Sequence, residues 1–234
     1  MSKFYGIGAG PGDSSLLTIK AVETLKKLDI IYTPKAKKSR KSLALTIVEE
    51  YLKKDLEIKQ RHFPMNFNIK EKNQIWDDIA QEIVDDVKKG KNVGFITLGD
   101  PMIYSTYEYL LTRIKNKVKV ETIPGITSFT NIASNQNFPL VMDKETLVVV
   151  PCTTDEEKID FVLQNYNSIV LMKVYKNFKT IIEKIKKYGL TKYSILVSNS
   201  SLNEEKVFRN IENVNSDQIS YFSTILINKK QEIV

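Results

Sequence analysis

Short apolar runs alternate with longer stretches of helical periodicity through the first half of this chain. Strands are predicted at Lys3 to Ile7, Asp29 to Thr33, Leu56 to His62, Val93 to the residues before Gly99, and Val118 to Ile123, where apolar or β-branched runs end in Gly, Pro or Asp. Between them the spacing predicts helices at Ser15 to Lys27, Ser42 to Leu52, about Ile69 to Lys89, Ser105 to Lys115 and Thr127 to Asn135. The Ile69 to Lys89 helix carries the clearest stripe, Ile75, Trp76, Ile79, Ile83, Val84 and Val87, and Gly90 ends it.

The second half reads differently. Strands are expected at Thr146 to Val150, Ser168 to Val174, Ser194 to Ser198, Lys206 to Asn210 and Tyr221 to Ile227, with helices at Glu156 to Gln164 and Phe178 to Tyr188. No long helix separates the strands starting at Ser194 and Lys206, which implies antiparallel pairing in a mixed sheet. The expectation is an α/β protein of two α/β domains, a parallel-sheet N-terminal domain over residues 1–125 and a mixed-sheet C-terminal domain over 126–234. Clefts between domains are favoured ligand sites, so the active site is expected there.

Composition narrows the function classes. With 42% hydrophobic and 27% charged residues the chain is globular, and no run of about 18 apolar residues could span a bilayer. Met1 to Tyr5 leads straight into a glycine loop without the apolar core of a signal peptide, so a cytoplasmic location is expected. One cysteine, Cys152, allows no internal disulfide, and one histidine, His62, allows no histidine-rich metal site; no metal is expected. The net charge of +7 points to nucleic acid or a polyanionic small molecule. Its densest cluster, Lys35, Lys37, Lys38, Arg40 and Lys41, has no interleaved aromatic on which bases could stack, so it reads as a solvated loop or one that meets carboxylates or phosphates.

Three strands of the first half run into loops suited to a ligand: Gly6-Ile7-Gly8-Ala9-Gly10-Pro11-Gly12-Asp13, Leu98-Gly99-Asp100-Pro101 and Pro124-Gly125-Ile126-Thr127-Ser128. At the carboxyl end of a strand, backbone N–H groups and a helix N-terminus converge on one place. The first loop is not a dinucleotide fingerprint, since Asp13 stands where the third glycine belongs, and no Lys-Ser or Lys-Thr pair makes it a phosphate loop. A structural turn explains any one loop; three in half a chain weigh toward a shared ligand. His62, beside Phe63 and Pro64, reads as a packed or hydrogen-bonded residue before it reads as a catalyst.

Together with Leu17-Thr18 and Ala21, these three blocks resemble the tetrapyrrole methylases that use S-adenosylmethionine. Tyr32-Thr33-Pro34-Lys35, Ser42-Leu43-Ala44, Phe63-Pro64-Met65, Met102-Ile103-Tyr104-Ser105-Thr106-Tyr107 and Glu145-Thr146-Leu147 are similar to the branch that methylates carbon 20 of precorrin-2 or cobalt-factor II in cobalamin synthesis. The resemblance covers essentially the whole chain and implies the tetrapyrrole methylase fold, a homodimer, a tetrapyrrole substrate, and S-adenosylmethionine converted to S-adenosylhomocysteine. Cofactor contacts carried over are Pro11, Leu98, Gly99, Asp100, Ile103, Thr127, Ser128 and Met172, whereas Ser200 stands where related enzymes often have glycine or alanine. Lys35, Lys37, Arg40, Tyr104 and Ser105 are the candidate substrate contacts, the basic three for the ring's carboxylates. No catalytic residue is assigned; Asp100, Tyr104, Tyr107 and His62 are candidate proton acceptors by position, with Asp100 expected to bind or hold its loop. Rival readings are a tetrapyrrole methylase acting at another ring position, the diphthamide or ribosomal-RNA branches of the superfamily, and a basic RNA- or nucleotide-binding protein without catalysis.

Overall fold

A computed structural model describes residues 2–34, 42–63 and 69–233. It divides into two compact units, Met1–Thr127 and Ser128–Val234.

The first unit is a parallel five-stranded sheet of β1 (Phe4–Gly8), β2 (Ile30–Pro34), β3 (Glu57–Arg61), β4 (Val93–Thr97) and β5 (Val120–Ile123), in the order β3-β2-β4-β1-β5. Residues alternate across it, as the two-residue repeat of a strand requires. Phe4, Ile30, Tyr32 and Phe95 face the stripe Trp76, Ile79, Ile83, Val84 and Val87 of α3 (Ile69–Lys88). Ile7, Ile31, Ile96 and Ile123 face Ala21 and Leu25 of α1 (Ile19–Leu25) and Ala44, Leu45, Ile47 and Val48 of α2 (Leu43–Val48). A sheet covered on both faces explains why its inner strands read as continuous apolar runs.

Helix α1 starts later than its periodicity suggests. Ser14–Leu16 form a separate 3-10 turn capped by the Asp13 carboxylate, Leu17 is extended (φ −65°, ψ 138°), and Thr18 caps α1 by accepting from Ala21 N. α4 (Tyr107–Ile114) likewise starts two residues after Ser105, because Tyr104 is left-handed (φ 49°) and the Ser105 hydroxyl accepts from Tyr107 N.

At the sheet's edge, Lys3 and Lys20 both reach Glu121, at 2.7 and 2.8 Å. Their hydrogen bonds, Lys20 foremost, hold the Glu121 carboxyl down at about 2. A carboxylate depressed on folding stabilises above its unfolded value and loses that contribution as pH falls toward its folded value. Glu121→Gln should therefore lose about 1 kcal/mol at pH 7, the scale of partly exposed pairs. Urea titrations should show the gap to the parent chain closing between pH 4.5 and about 2; a gap that holds constant to pH 2 would rule out this account.

The second unit carries β6 (Leu147–Pro151), β7 (Ser168–Met172), β8 (Ser194–Ser198), β9 (Lys206–Phe208) and β10 (Ser223–Asn228), in the order β6-β7-β10-β8-β9. β6 and β7 are parallel, β8 and β9 pair antiparallel as expected, and β10 inserts antiparallel between β7 and β8. α6 (Glu156–Asn165) and α7 (Phe178–Lys187) cover one face, through Ile159, Val162, Ile181 and Ile185. α5 (Ser128–Asn135) covers the other, through Phe129 and Ile132 against Val170, Ile195, Val197 and Leu226. Strand β7 stops at Met172 because Lys173 turns left-handed (φ 58°). Cys152 is fully buried and desolvation pushes its thiol up to about 12, which makes it an inert packing group.

Candidate functional site

In the first unit the strand order decides what the loops do. β1 lies between β4 and β5 and all three are parallel, so the loops after them leave the same edge side by side. The backbones of these loops touch. Gly10 and Gly99 exchange two hydrogen bonds, Gly99 N to Gly10 O at 2.7 Å and Gly10 N to Gly99 O at 3.3 Å. A Cβ on Gly125 would lie 2.2 Å from the Gly99 carbonyl oxygen and 2.9 Å from Gly8 Cα. A Cβ on Gly8 would lie 2.6 Å from Gly125 N. No side chain fits at either position, so the two glycines are demanded by packing of main chain on main chain.

Asp100 fastens this arrangement. Its Oδ1 accepts from Met102 N at 2.8 Å, within its own loop, and its Oδ2 accepts from Gly125 N at 3.0 Å, in the third loop. With both oxygens engaged by backbone N–H groups, the Asp100 carboxylate fastens the second loop to the third. Gly99 next to it is left-handed (φ 68°), and among the described residues a Cβ there would meet nothing within 4 Å. The assembled loops therefore keep an open face at Gly99, bordered in sequence by the exposed Met102, Ile103 and Tyr104. Such a face suits a ligand that is partly apolar and needs close backbone approach.

The other expected residues fall as follows. Pro11 is buried in the first loop, Leu98 is half-buried, and Thr127 ends the first unit. Ser128 and Met172 lie in the second unit, at the first residue of α5 and the last of β7. Ser105 has its hydroxyl engaged with Thr97 Oγ1 at 2.9 Å and with Tyr107 N at 3.1 Å. Lys35, Lys37 and Arg40 lie outside the described residues. Tyr107 is fully buried with its hydroxyl 2.7 Å from Thr122 Oγ1, which removes it as a proton acceptor. Desolvation raises the Tyr104 phenol above its ordinary value, so at neutral pH it is a hydrogen-bond donor, not a base. His62 is exposed at the end of β3. Among the described residues, no group of histidine, cysteine or carboxylate side chains could hold a metal ion, and no helix is long and apolar enough to cross a membrane.

The loop after β8 holds Ser200, where the sequence departs from related enzymes and leaves a cofactor contact open; what the sequence does not show is its partner, Asn131 in the second unit. Asn199 and Ser201 are both left-handed (φ 56° and 60°), and the buried Asn131 of α5 donates to Ser201 Oγ at 2.7 Å and Ser200 Oγ at 3.2 Å. The signal available was the run Ser198-Asn199-Ser200-Ser201, residues that bond local backbone and side chains in place of regular structure. The Ser200 side chain is buried and accepts from Asn131.

A family model described as tetrapyrrole (corrin/porphyrin) methylases matches residues 3–214. The chain is 41% identical over 231 residues to the cobalt-precorrin-2 C(20)-methyltransferase of Salmonella typhimurium, with 98% of each chain covered. It is 31% identical over 236 residues to the precorrin-2 C(20)-methyltransferase of a Sinorhizobium species, covering 97% of this chain and 95% of that one. The solved structure of uroporphyrin-III C-methyl transferase from Thermus thermophilus, complexed with S-adenyl homocysteine, shares the fold with a TM-score of 0.65 at 19% identity, over 96% of this chain and 97% of that one.

Proposed function

The chain belongs to the tetrapyrrole methylases, and from that membership we propose that it transfers a methyl group from S-adenosylmethionine to carbon 20 of a precorrin-2-type ring in cobalamin synthesis. The observation that carries this reading is the 41% identity, spread over 98% of both chains, to a cobalt-precorrin-2 C(20)-methyltransferase. The same relative, named for cobalt-precorrin-2, favours a cobalt-bearing ring over metal-free precorrin-2, for which the named relative is 31% identical.

S-adenosylmethionine supplies a methyl group activated on a sulfonium. The fastened loops Gly8–Pro11, Gly99–Asp100 and Gly125–Thr127 supply a rigid backbone cradle whose open face lies at Gly99, and that face is what makes the residues present fit the cofactor. Ile103 would add apolar contact beside it, and the resemblance implies Ser128 and Met172 as further cofactor contacts. A rigid cradle matters because aligning reacting atoms can lower a barrier by about 7–11 kcal/mol in favourable systems. Tyr104 would donate a hydrogen bond at the same loop, and Lys35, Lys37 and Arg40 would take ring carboxylates. The resemblance also supports a homodimer, and the N-terminal sequence supports a cytoplasmic location.

The test is methyl transfer from labelled S-adenosylmethionine, with metal-free precorrin-2 and cobalt-factor II offered side by side and the products weighed by mass spectrometry. One added methyl on cobalt-factor II is expected. A methyl on precorrin-2 alone would overturn the cobalt assignment, and a methyl on neither would overturn the carbon-20 assignment. Tight, salt-sensitive RNA binding without cofactor uptake would favour a binding protein instead.

A further inference from the structure

We propose that Asn131 is a positioning residue for the cofactor, holding the loop after β8 in a left-handed shape beside α5. The inference rests on the reading of the chain as an S-adenosylmethionine enzyme and deepens it in the second unit.

Two left-handed L residues within three positions, Asn199 and Ser201, are intrinsically unfavourable and persist only where the surroundings fix them. Here they are fixed from several sides. Asn199 N donates to Phe222 O at 3.1 Å, Ser220 Oγ donates to Asn199 Oδ1 at 2.5 Å, and Ser201 N donates to Glu205 Oε2 at 2.6 Å. Those bonds join the loop to its own return strand and to the turn before β10. Asn131 ties it to a different element: its single carboxamide nitrogen has two hydrogens, and both serine hydroxyls lie within reach, at 2.7 and 3.2 Å.

The geometry gives this tie a purpose. β7 and β8 both run antiparallel to β10, with Thr224 opposite Met172 and Ser223 opposite Ser198, so the ends of β7 and β8 leave the sheet on one edge. Asn131 lies three residues after Ser128, on the same side of α5. One side chain thus couples the helix that begins at Ser128 to the loop that follows Ser198, at the edge where β7 delivers Met172. A cofactor that uses this edge needs that loop in one shape before it arrives, since ordering it on binding would lower affinity.

The experiment is calorimetric titration of S-adenosylmethionine into the full chain and three variants, with thermal melts to confirm folding. Asn131→Leu keeps the volume and removes the donors. It should raise the cofactor Kd by roughly tenfold or more, the scale of losing a buried hydrogen bond, with kcat at saturating cofactor within about threefold. Adding Ser201→Gly should not restore the affinity, because glycine relieves the left-handed strain but leaves the loop free to take other shapes. Ser201→Ala, at a half-buried position, removes an acceptor from the loop side and should raise Kd in the same direction even if Asn131→Leu does not fold. A folded Asn131→Leu that melts earlier but binds as the parent does would make the residue structural only. Restoration of the affinity by Ser201→Gly would show that relief of backbone strain, not the ordering of the loop, is what matters, and would also overturn the inference. A parent chain that binds no S-adenosylmethionine overturns the functional reading itself, whereas parent binding with unchanged variants overturns this inference alone.

Discussion

Gly125→Ala is expected to lower stability by about 3 kcal/mol and to weaken S-adenosylmethionine binding by at least about a hundredfold. The added methyl would sit 2.2 Å from the Gly99 carbonyl oxygen and 2.9 Å from Gly8 Cα, and both obstacles are backbone, so no rotamer change relieves them. The loops must part. Parting them strains the bond from Gly125 N to Asp100 Oδ2, now 3.0 Å, and the pair of bonds between Gly10 and Gly99. Overpacking alone typically costs about 1–3 kcal/mol, and a weakened hydrogen bond to a carboxylate adds about 1.5–3 kcal/mol when fully lost; partial relaxation leaves a sum near 3. Urea unfolding gives the first number and calorimetry the second. A folded Gly125→Ala that binds cofactor as tightly as the parent would show that the loops do not act as one cradle.

Why the cradle was only partly legible beforehand follows from where its contacts come from. The three loops were visible as glycine-bearing strand ends, because a turn needs glycine or proline at a particular place and local sequence records that need. Their adjacency was not visible, since it depends on β1 lying between β4 and β5, a consequence of crossover connections over long stretches of chain. The partner of Asp100 was hidden for the same reason: Gly125 N is 25 residues away in sequence. The long stripe of α3 needed no such knowledge, because helical periodicity is local and Trp76, Ile79, Ile83, Val84 and Val87 face one sheet. Element edges were misplaced where a side chain competes with the backbone, as Ser105 does before α4 and Thr18 before α1. The insertion of β10 between β7 and β8 could not be read from strand order in sequence either, although the absence of a helix between β8 and β9 did foretell their antiparallel pairing. Asn131 escaped notice because a polar residue on an amphipathic helix ordinarily faces water, and only the loop after β8 makes it a buried donor.

The neighbouring glycine should behave in the opposite way to Gly125. Gly99→Leu is expected to abolish cofactor binding while leaving the fold nearly intact. Among the described residues a Cβ at Gly99 meets nothing within 4 Å, so the new side chain clashes with none of their atoms at its root, and the penalty comes from the backbone angle of 68°. Forcing an L residue into that region costs about 1–2 kcal/mol, which a two-state chain shows as a modest fall in urea midpoint with an unchanged slope. The same open space is the face on which the cofactor is proposed to lie, so a leucine there obstructs it directly. Gly99→Asn separates the two effects: asparagine tolerates the left-handed region far better than leucine, so stability should return nearly to that of the parent while binding stays weak. If Gly99→Leu took up S-adenosylmethionine within about threefold of the parent, the open face at Gly99 would not be where the cofactor sits. If Gly99→Asn instead recovered both stability and affinity, the glycine would matter for its backbone angle alone. Loss of binding without loss of fold at Gly99, beside loss of both at Gly125, is the pattern expected when one glycine faces a ligand and the other holds the loops together.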